Sequence, residues 1–165
     1  PVVDAEAAAA CHAAGEGSEL TLTLGHKRDP RWGTPQTYSG VVTSLHEGEF
    51  TYTGGQWEGH LTQMGPTAVL SIGALRVLIT SRATYDWKDE QFRSVGLAPE
   101  DAKFIVAKNP MNYRWAYGTI ARKTIVLDTP GPTPATLKHV EFQKLKRPYF
   151  PADLDIPDLQ PTVLV

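Results

Sequence analysis

The residues of this chain that could do chemistry gather into polar clusters, each following an apolar run that reads as a strand. The clusters are Gly25-His26-Lys27-Arg28-Asp29-Pro30, Gln63-Met64-Gly65-Pro66-Thr67, Thr80-Ser81-Arg82, and Lys108-Asn109-Pro110-Met111-Asn112-Tyr113-Arg114. Strand ends are where clefts open in mixed sheets, so polar groups there can converge on a ligand. Turn chemistry alone also explains Gly, Asn, Asp and Pro at such places. The cations carry more information. Lys27, Arg82, Lys108 and Arg114 recur at strand ends in a chain of net charge −2. An ammonium, or a guanidinium acting bidentately, can hold a carboxylate or an oxyanion there. Asn112 adds a neutral donor and acceptor beside Arg114. Lys27, Arg82, Lys108, Asn112 and Arg114 are therefore the candidate substrate-binding residues. No residue of this chain is expected to be catalytic or to bind metal.

Other chemistries fail on spacing. The histidines are His12, His26, His46, His60 and His139, and none lies three or four residues from another. No helix face then presents two imidazoles to a metal. Gly-x-Ser-x-Gly is absent, and so are the glycine-rich phosphate loops. Cys11, next to His12 in an alanine-rich stretch, reads as a small helix-face residue and not as a reactive thiolate. The mildly acidic balance excludes a nucleic-acid binder, which needs a basic surface. No apolar run reaches the roughly 20 residues of a membrane helix. A single cysteine forbids an internal disulfide and fits a reducing compartment, so a cytoplasmic protein is expected.

The elements that must position these groups follow from periodicity. Residues 4–14 predict a helix capped by Asp4 and stopped by Gly15. Its thin apolar bulk calls for a surface to pack on, expected in a part of the parent outside this chain. Glu19–Leu24 alternates leucine with polar residues, the pattern of a half-buried strand. Residues 38–45 and 49–53 predict a hairpin around His46-Glu47-Gly48. Thr67–Ile72 and Leu75–Thr80 predict a second pair, buried on both faces. Residues 87–95 predict a short helix closed by Gly96. Another helix runs through Tyr113, Trp115 and Tyr117, capped by Asn109 or Asn112. Residues 103–107 and 124–127 are rich in β-formers and predict two further strands. From Pro130 onward proline recurs, which predicts an irregular tail. The fold expected is α+β: a mixed, strand-rich sheet with a few short helices and a proline-rich C-terminal tail. It is expected to be a single domain over 1–165, with its core over about 6–151 and a tail over 152–165.

Taken in order, several motifs resemble a known family. They are Gly25-x-Lys27-x-Asp29-Pro30, Met64-Gly65-x-Thr67-Ala68-Val69-Leu70 and Thr80-Ser81-Arg82, then Val106-Ala107-Lys108 with Tyr113-Arg114. Val126-Leu127-Asp128-Thr129-Pro130-Gly131 and Arg147-Pro148-x-Phe150-Pro151 complete the set. The set resembles the C-terminal domain of the MlrC-like, microcystin-degrading metallopeptidases. The resemblance implies a larger parent that hydrolyses peptide or small amide bonds. It also implies that zinc is held by an N-terminal domain absent from this chain, which would itself need no cofactor. That domain is then the partner expected, with a peptide-like or small amide substrate between the two. This chain would line one side of the cleft and be inactive alone. Two positions depart from the family. An acidic residue usually precedes Met-Gly, where this chain has Gln63. A histidine tends to precede the aromatic-Arg pair, where it has Asn112. A second reading is a non-catalytic structural or homo-oligomerisation module, built on apolar strands and on Trp57, Trp87 and Trp115.

Overall fold

Leucine alternating with polar residues over Glu19–Leu24 gives a strand, as its period of two predicts. In the computed structural model residues 1–109, 111–133, 135–137 and 140–156 are described. His139 and residues 157–165 of the predicted tail lie outside them. The elements in chain order are β1 (Val2–Val3), α1 (Ala5–Ala14), β2 (Glu19–Leu24), β3 (Gln36–His46) and β4 (Glu49–Thr51). β5 (Leu61–Gln63), β6 (Thr67–Ile72), β7 (Leu75–Thr80), α2 (Glu90–Arg93) and α3 (Tyr113–Tyr117) follow. The chain divides into two compact units, Pro1–Thr124 and Ile125–Val165. No helix among the described residues is long and apolar enough to cross a membrane.

In the first unit, five strands form one sheet in the order β1-β7-β6-β3-β2, and β4 pairs with β5 apart from it. β1 runs parallel to β7 while the other neighbours are antiparallel, so the sheet is mixed. This is the α+β, strand-rich architecture expected. The β6–β7 hairpin turns at Gly73, whose φ of 56 precedes a residue of ordinary φ, the pattern of a tight hairpin turn.

Two cores explain why β6 and β7 are apolar on both faces. Ala68, Leu70 and Ile79 face Ala7, Ala8 and Cys11 of α1. Val69 and Leu78 face Phe50, Tyr52, Met64 and Val95, with Trp57 and Trp87 packed beside them. α1 therefore packs on the sheet of its own chain, correcting the expectation of a partner elsewhere. Alanine makes this work, because small side chains let the helix lie close. A buried methyl contributes only about 0.8 kcal/mol, so the ends of α1 matter as much as its face. Asp4 Oδ1 accepts from Ala7 N at 3.1 Å, and Gly15 N donates to Cys11 O at 3.0 Å.

One predicted hairpin and two predicted strands are not formed. β2 pairs with β3 over Gln36–Val41 and β6 over Val41–His46, and the segment after His46-Glu47-Gly48 does not join that sheet. It pairs with β5 instead. The turn is tight: a Cβ on Gly48 would lie 2.2 Å from the Gly65 carbonyl oxygen. Residues 103–107 and 124–127 belong to no strand. β-formers favour extended backbone, but a ladder also needs a neighbouring strand, and the described residues supply none.

In the second unit the described residues form no helix or strand. Side chains organise part of it. Arg147 pairs with Asp153, whose Oδ2 accepts from Tyr149 N at 2.8 Å. Tyr149 packs edge-on against Phe142 at 5.4 Å between ring centres. Asp128 Oδ2 accepts from the Thr136 hydroxyl at 2.9 Å.

Candidate functional site

The two edge strands of the main sheet are β1 and β2, and a cleft lies between the segments that extend them. The chain leaves β2 through Gly25 and His26, with φ of 77 and 50. A left-handed residue other than glycine costs roughly 1–2 kcal/mol, so the tight reversal at His26 is specified and not incidental. The His26 ring lies against Gly33, where a Cβ would come within 2.6 Å of it. The reversal brings residues 25–29 against Val2, Val3 and Asp4, with Lys108 completing a cleft of about 210 Å3.

Charge matching inside this cleft is uneven. Lys27 Nζ reaches Asp4 Oδ2 and Glu6 Oε2, each at 3.0 Å. Partial burial opposes its charge, but the hydrogen bonds to Glu6 and Asp4 prevail and hold its pKa above the ordinary lysine value. Asp29 is bound side-on by Arg31, with Nε to Oδ1 at 2.9 Å and Nη2 to Oδ2 at 2.7 Å. Arg31 thereby holds the Asp29 carboxyl at about 2. Lys27 and Asp29 are thus neutralised by groups of this chain. Arg28 and Lys108 are exposed and form no ion pair among the described residues.

A larger groove of about 750 Å3 is bounded by Phe50, Thr53, α2 and α3. Its carboxylates are also engaged. Glu90 Oε1 accepts from Thr53 N at 2.9 Å and from the Thr53 hydroxyl at 2.7 Å. Asp89 accepts from Arg93 Nε at 2.7 Å, and Arg93 reaches on to Glu100 at 2.9 Å. Hydrogen bonds from Glu100 and Asp89 hold the Arg93 guanidinium well above its ordinary pKa. The groove's other cations are Arg114 and Lys88. Lys88 Nζ sits 5.9 Å from the centre of the Trp115 ring, which is 58% exposed. Close to these elements are two buried orphans. The Tyr117 hydroxyl and Asp86 Oδ2 have no partner among the described residues. Burial raises the pKa of both, and the Asp86 charge adds to the effect on Tyr117.

The structure thus brings Lys27 and Lys108 to one cleft and places Arg114 on a separate groove. Arg114 Nε donates to the Tyr113 hydroxyl at 3.0 Å. Asn112 Nδ2 donates to the Tyr85 hydroxyl at 2.9 Å. Arg82 borders neither cavity. Its backbone N–H donates to the Met64 carbonyl at 2.7 Å, and its side chain lies over Gly65. Sequence reasoning passed over Arg28 and Lys88. Arg28 carried a signal, since it is a second cation beside Lys27 in the Gly25–Pro30 cluster. It also left the capping role of Asn109 open. Asn109 Oδ1 accepts from Met111 N at 2.9 Å and from Asn112 N at 3.1 Å, which sets the turn into α3. The departure at Gln63 has a local partner: its Nε2 donates to Glu49 Oε2 at 2.8 Å.

Among the described residues no group of three His, Cys, Asp or Glu side chains is placed to hold a metal ion. The cations that line the two cavities are Lys27, Arg28 and Lys108 in one and Lys88, Arg93 and Arg114 in the other. Microcystinase C of a Sphingomonas species is 22% identical over 138 residues, covering 84% of this chain and 26% of that protein. A crystal structure from Mesorhizobium sp. BNC1, described as "Putative metallopeptidase", matches with a TM-score of 0.76 and 27% identity. That match covers 98% of this chain and 31% of the other. The chain thus spans about a quarter to a third of the length of these relatives. The MlrC C-terminus family matches residues 1–144, and the chain belongs to that family.

Proposed function

We propose that this chain is the substrate-holding domain of a zinc-dependent peptidase or amide hydrolase whose metal is carried by an N-terminal domain. The relatives' names motivate the reaction class. The observation that carries the role is the uneven matching of charge in the 210 Å3 cleft. Lys27 and Asp29 are neutralised by Asp4, Glu6 and Arg31, while Arg28 and Lys108 form no ion pair among the described residues, with Asp86 near Lys108. Two cations at the mouth of a small cleft suit a substrate carboxylate, with the guanidinium able to bind both oxygens. They hold and orient the substrate. Bond cleavage belongs to the domain with the metal. Arg114 and Lys88 beside the exposed Trp115 suit an apolar or aromatic group that follows along the same substrate. A lone buried cysteine is consistent with a cytoplasmic protein.

The test uses the full-length protein. With a peptide ending in a free carboxylate, Arg28→Ala and Lys108→Ala are each expected to raise KM about tenfold, as loss of a charge-assisted hydrogen bond implies. kcat should change little, because the contact is made equally in ground and transition states. The amidated peptide should be indifferent to both changes. Unchanged kinetics on both substrates would refute the role. A second reading, self-association, keeps only Trp115 of its three tryptophans, because Trp57 and Trp87 are packed in the second core. Light scattering at rising concentration checks it, and a constant mass at one protomer rules it out.

A further inference from the structure

Residues 104–109 lie in no strand or helix, yet exposure alternates along them. Phe104 and Val106 are 77% and 69% exposed and Lys108 is exposed, whereas Ile105 and Ala107 are half-buried and Asn109 is buried. A period of two is the mark of a strand with one covered face and one bare face. Yet no backbone hydrogen bond involves residues 103–107 among the described residues. A row of N–H and C=O groups with no backbone partner among the described residues, beside two large apolar side chains, invites another strand. β-Propensity alone does not require such a row, since Phe, Ile and Val also occur in paired strands where the propensity is repaid by packing.

We infer that segment 103–107 is an acceptor strand for β-augmentation, and that its occupant is an apolar strand from the remainder of the same polypeptide. Three observations select that occupant. The relatives described above extend well beyond the portion matched here, which covers 26% and 31% of their lengths. The bare face is apolar at Phe104 and Val106, which fits a permanent intramolecular contact better than a transient polar one. The same face ends at Lys108, which lines the cleft. A strand added here places the rest of the polypeptide beside the cations proposed to hold substrate. The inference rests on the two-domain reading above, which it deepens by naming the contact.

Hydrogen exchange on the full-length protein tests it. Amides of residues 104–107 are expected to exchange at least 100-fold more slowly than an unstructured reference peptide, equally at low and high protein concentration. Exchange within tenfold of the reference overturns the inference. So does protection that grows with concentration, which would make a second copy the occupant. Phe104→Asp should speed exchange of these amides tenfold or more while leaving the β6–β7 amides as they were. If that variant does not fold, the wild-type measurement still decides. Metal content and hydrolysis, measured on the same sample, keep the two ideas apart. A zinc-loaded, active protein with an unprotected segment sinks the docking alone. A protected segment in a metal-free, inactive protein supports the docking and sinks the proposed reaction.

Discussion

Gln63 faces Glu49 across the β4–β5 pair, where the two are direct register partners. The amide donates to the carboxylate at 2.8 Å. An acidic residue at this position would set two carboxylates face to face, a pairing that costs roughly 0.2–1 kcal/mol. Gln63→Glu should therefore destabilise the chain by that amount at pH 7. The loss should shrink near pH 4, where protonation of a carboxylate relieves it; urea unfolding at the two pH values measures both. Tyr117 offers the opposite case. Its hydroxyl is buried without a partner among the described residues, so Tyr117→Phe should be neutral or stabilising, by up to about 1 kcal/mol. A loss above that in thermal unfolding would reveal a partner for the hydroxyl. Asp29 gives a pH signature. Its folded pKa lies below the unfolded one, so its contribution is whole above about 4 and fades as pH falls toward about 2. Carbon-13 titration of its carboxyl should give a midpoint near 2; one near 3.8 would show the Arg31 pair absent in solution. At this scale the sequence reveals residue types but not their pairings. Lys27 and Lys108 are equally visible as cations, and only the fold shows that Asp4 and Glu6 occupy one of them.

At the scale of elements, local signals and tertiary signals part company. Asp4 and Gly15 mark the ends of α1 because a cap and a stop are chemistry of a few neighbouring residues. The β6–β7 hairpin is legible for the same reason, its turn being two residues long. The pairing of residues 49–51 is not legible, since nothing near them names residues 61–63 as their partner. Segments 103–107 and 124–127 mislead for a related reason: their side chains favour extended backbone without naming a partner. The packing of α1 yields a prediction of its own. Ala8 is fully buried against the sheet, so Ala8→Leu should cost about 1–3 kcal/mol through overpacking. Cys11 beside it is equally buried, and burial raises its thiol pKa. It should resist thiol reagents in the native chain and react at once after unfolding; rapid native labelling would contradict the packing described.

For the whole molecule, a net charge of −2 conceals a local excess of the other sign at the cleft. Binding through exposed cations weakens as salt shortens the reach of their field, to about 8 Å at physiological ionic strength. KM for an anionic peptide should therefore climb with added salt, while KM for its amidated form stays level. A third feature concerns time rather than affinity. The sheet's edge strands are far apart in its strand order, and the Lys27 pair with Asp4 and Glu6 clasps the segments beyond them. β1 can join the sheet only after β7 exists, some 75 residues away along the chain. The clasp is then expected to form after the folding transition state. Lys27→Met should accelerate unfolding, on the order of two- to fivefold, and leave the refolding rate untouched. A stopped-flow chevron whose refolding arm moves instead would place the clasp among the first contacts made; movement of the unfolding arm alone makes the Lys27 pair a latch that sets how long the native state lasts once formed.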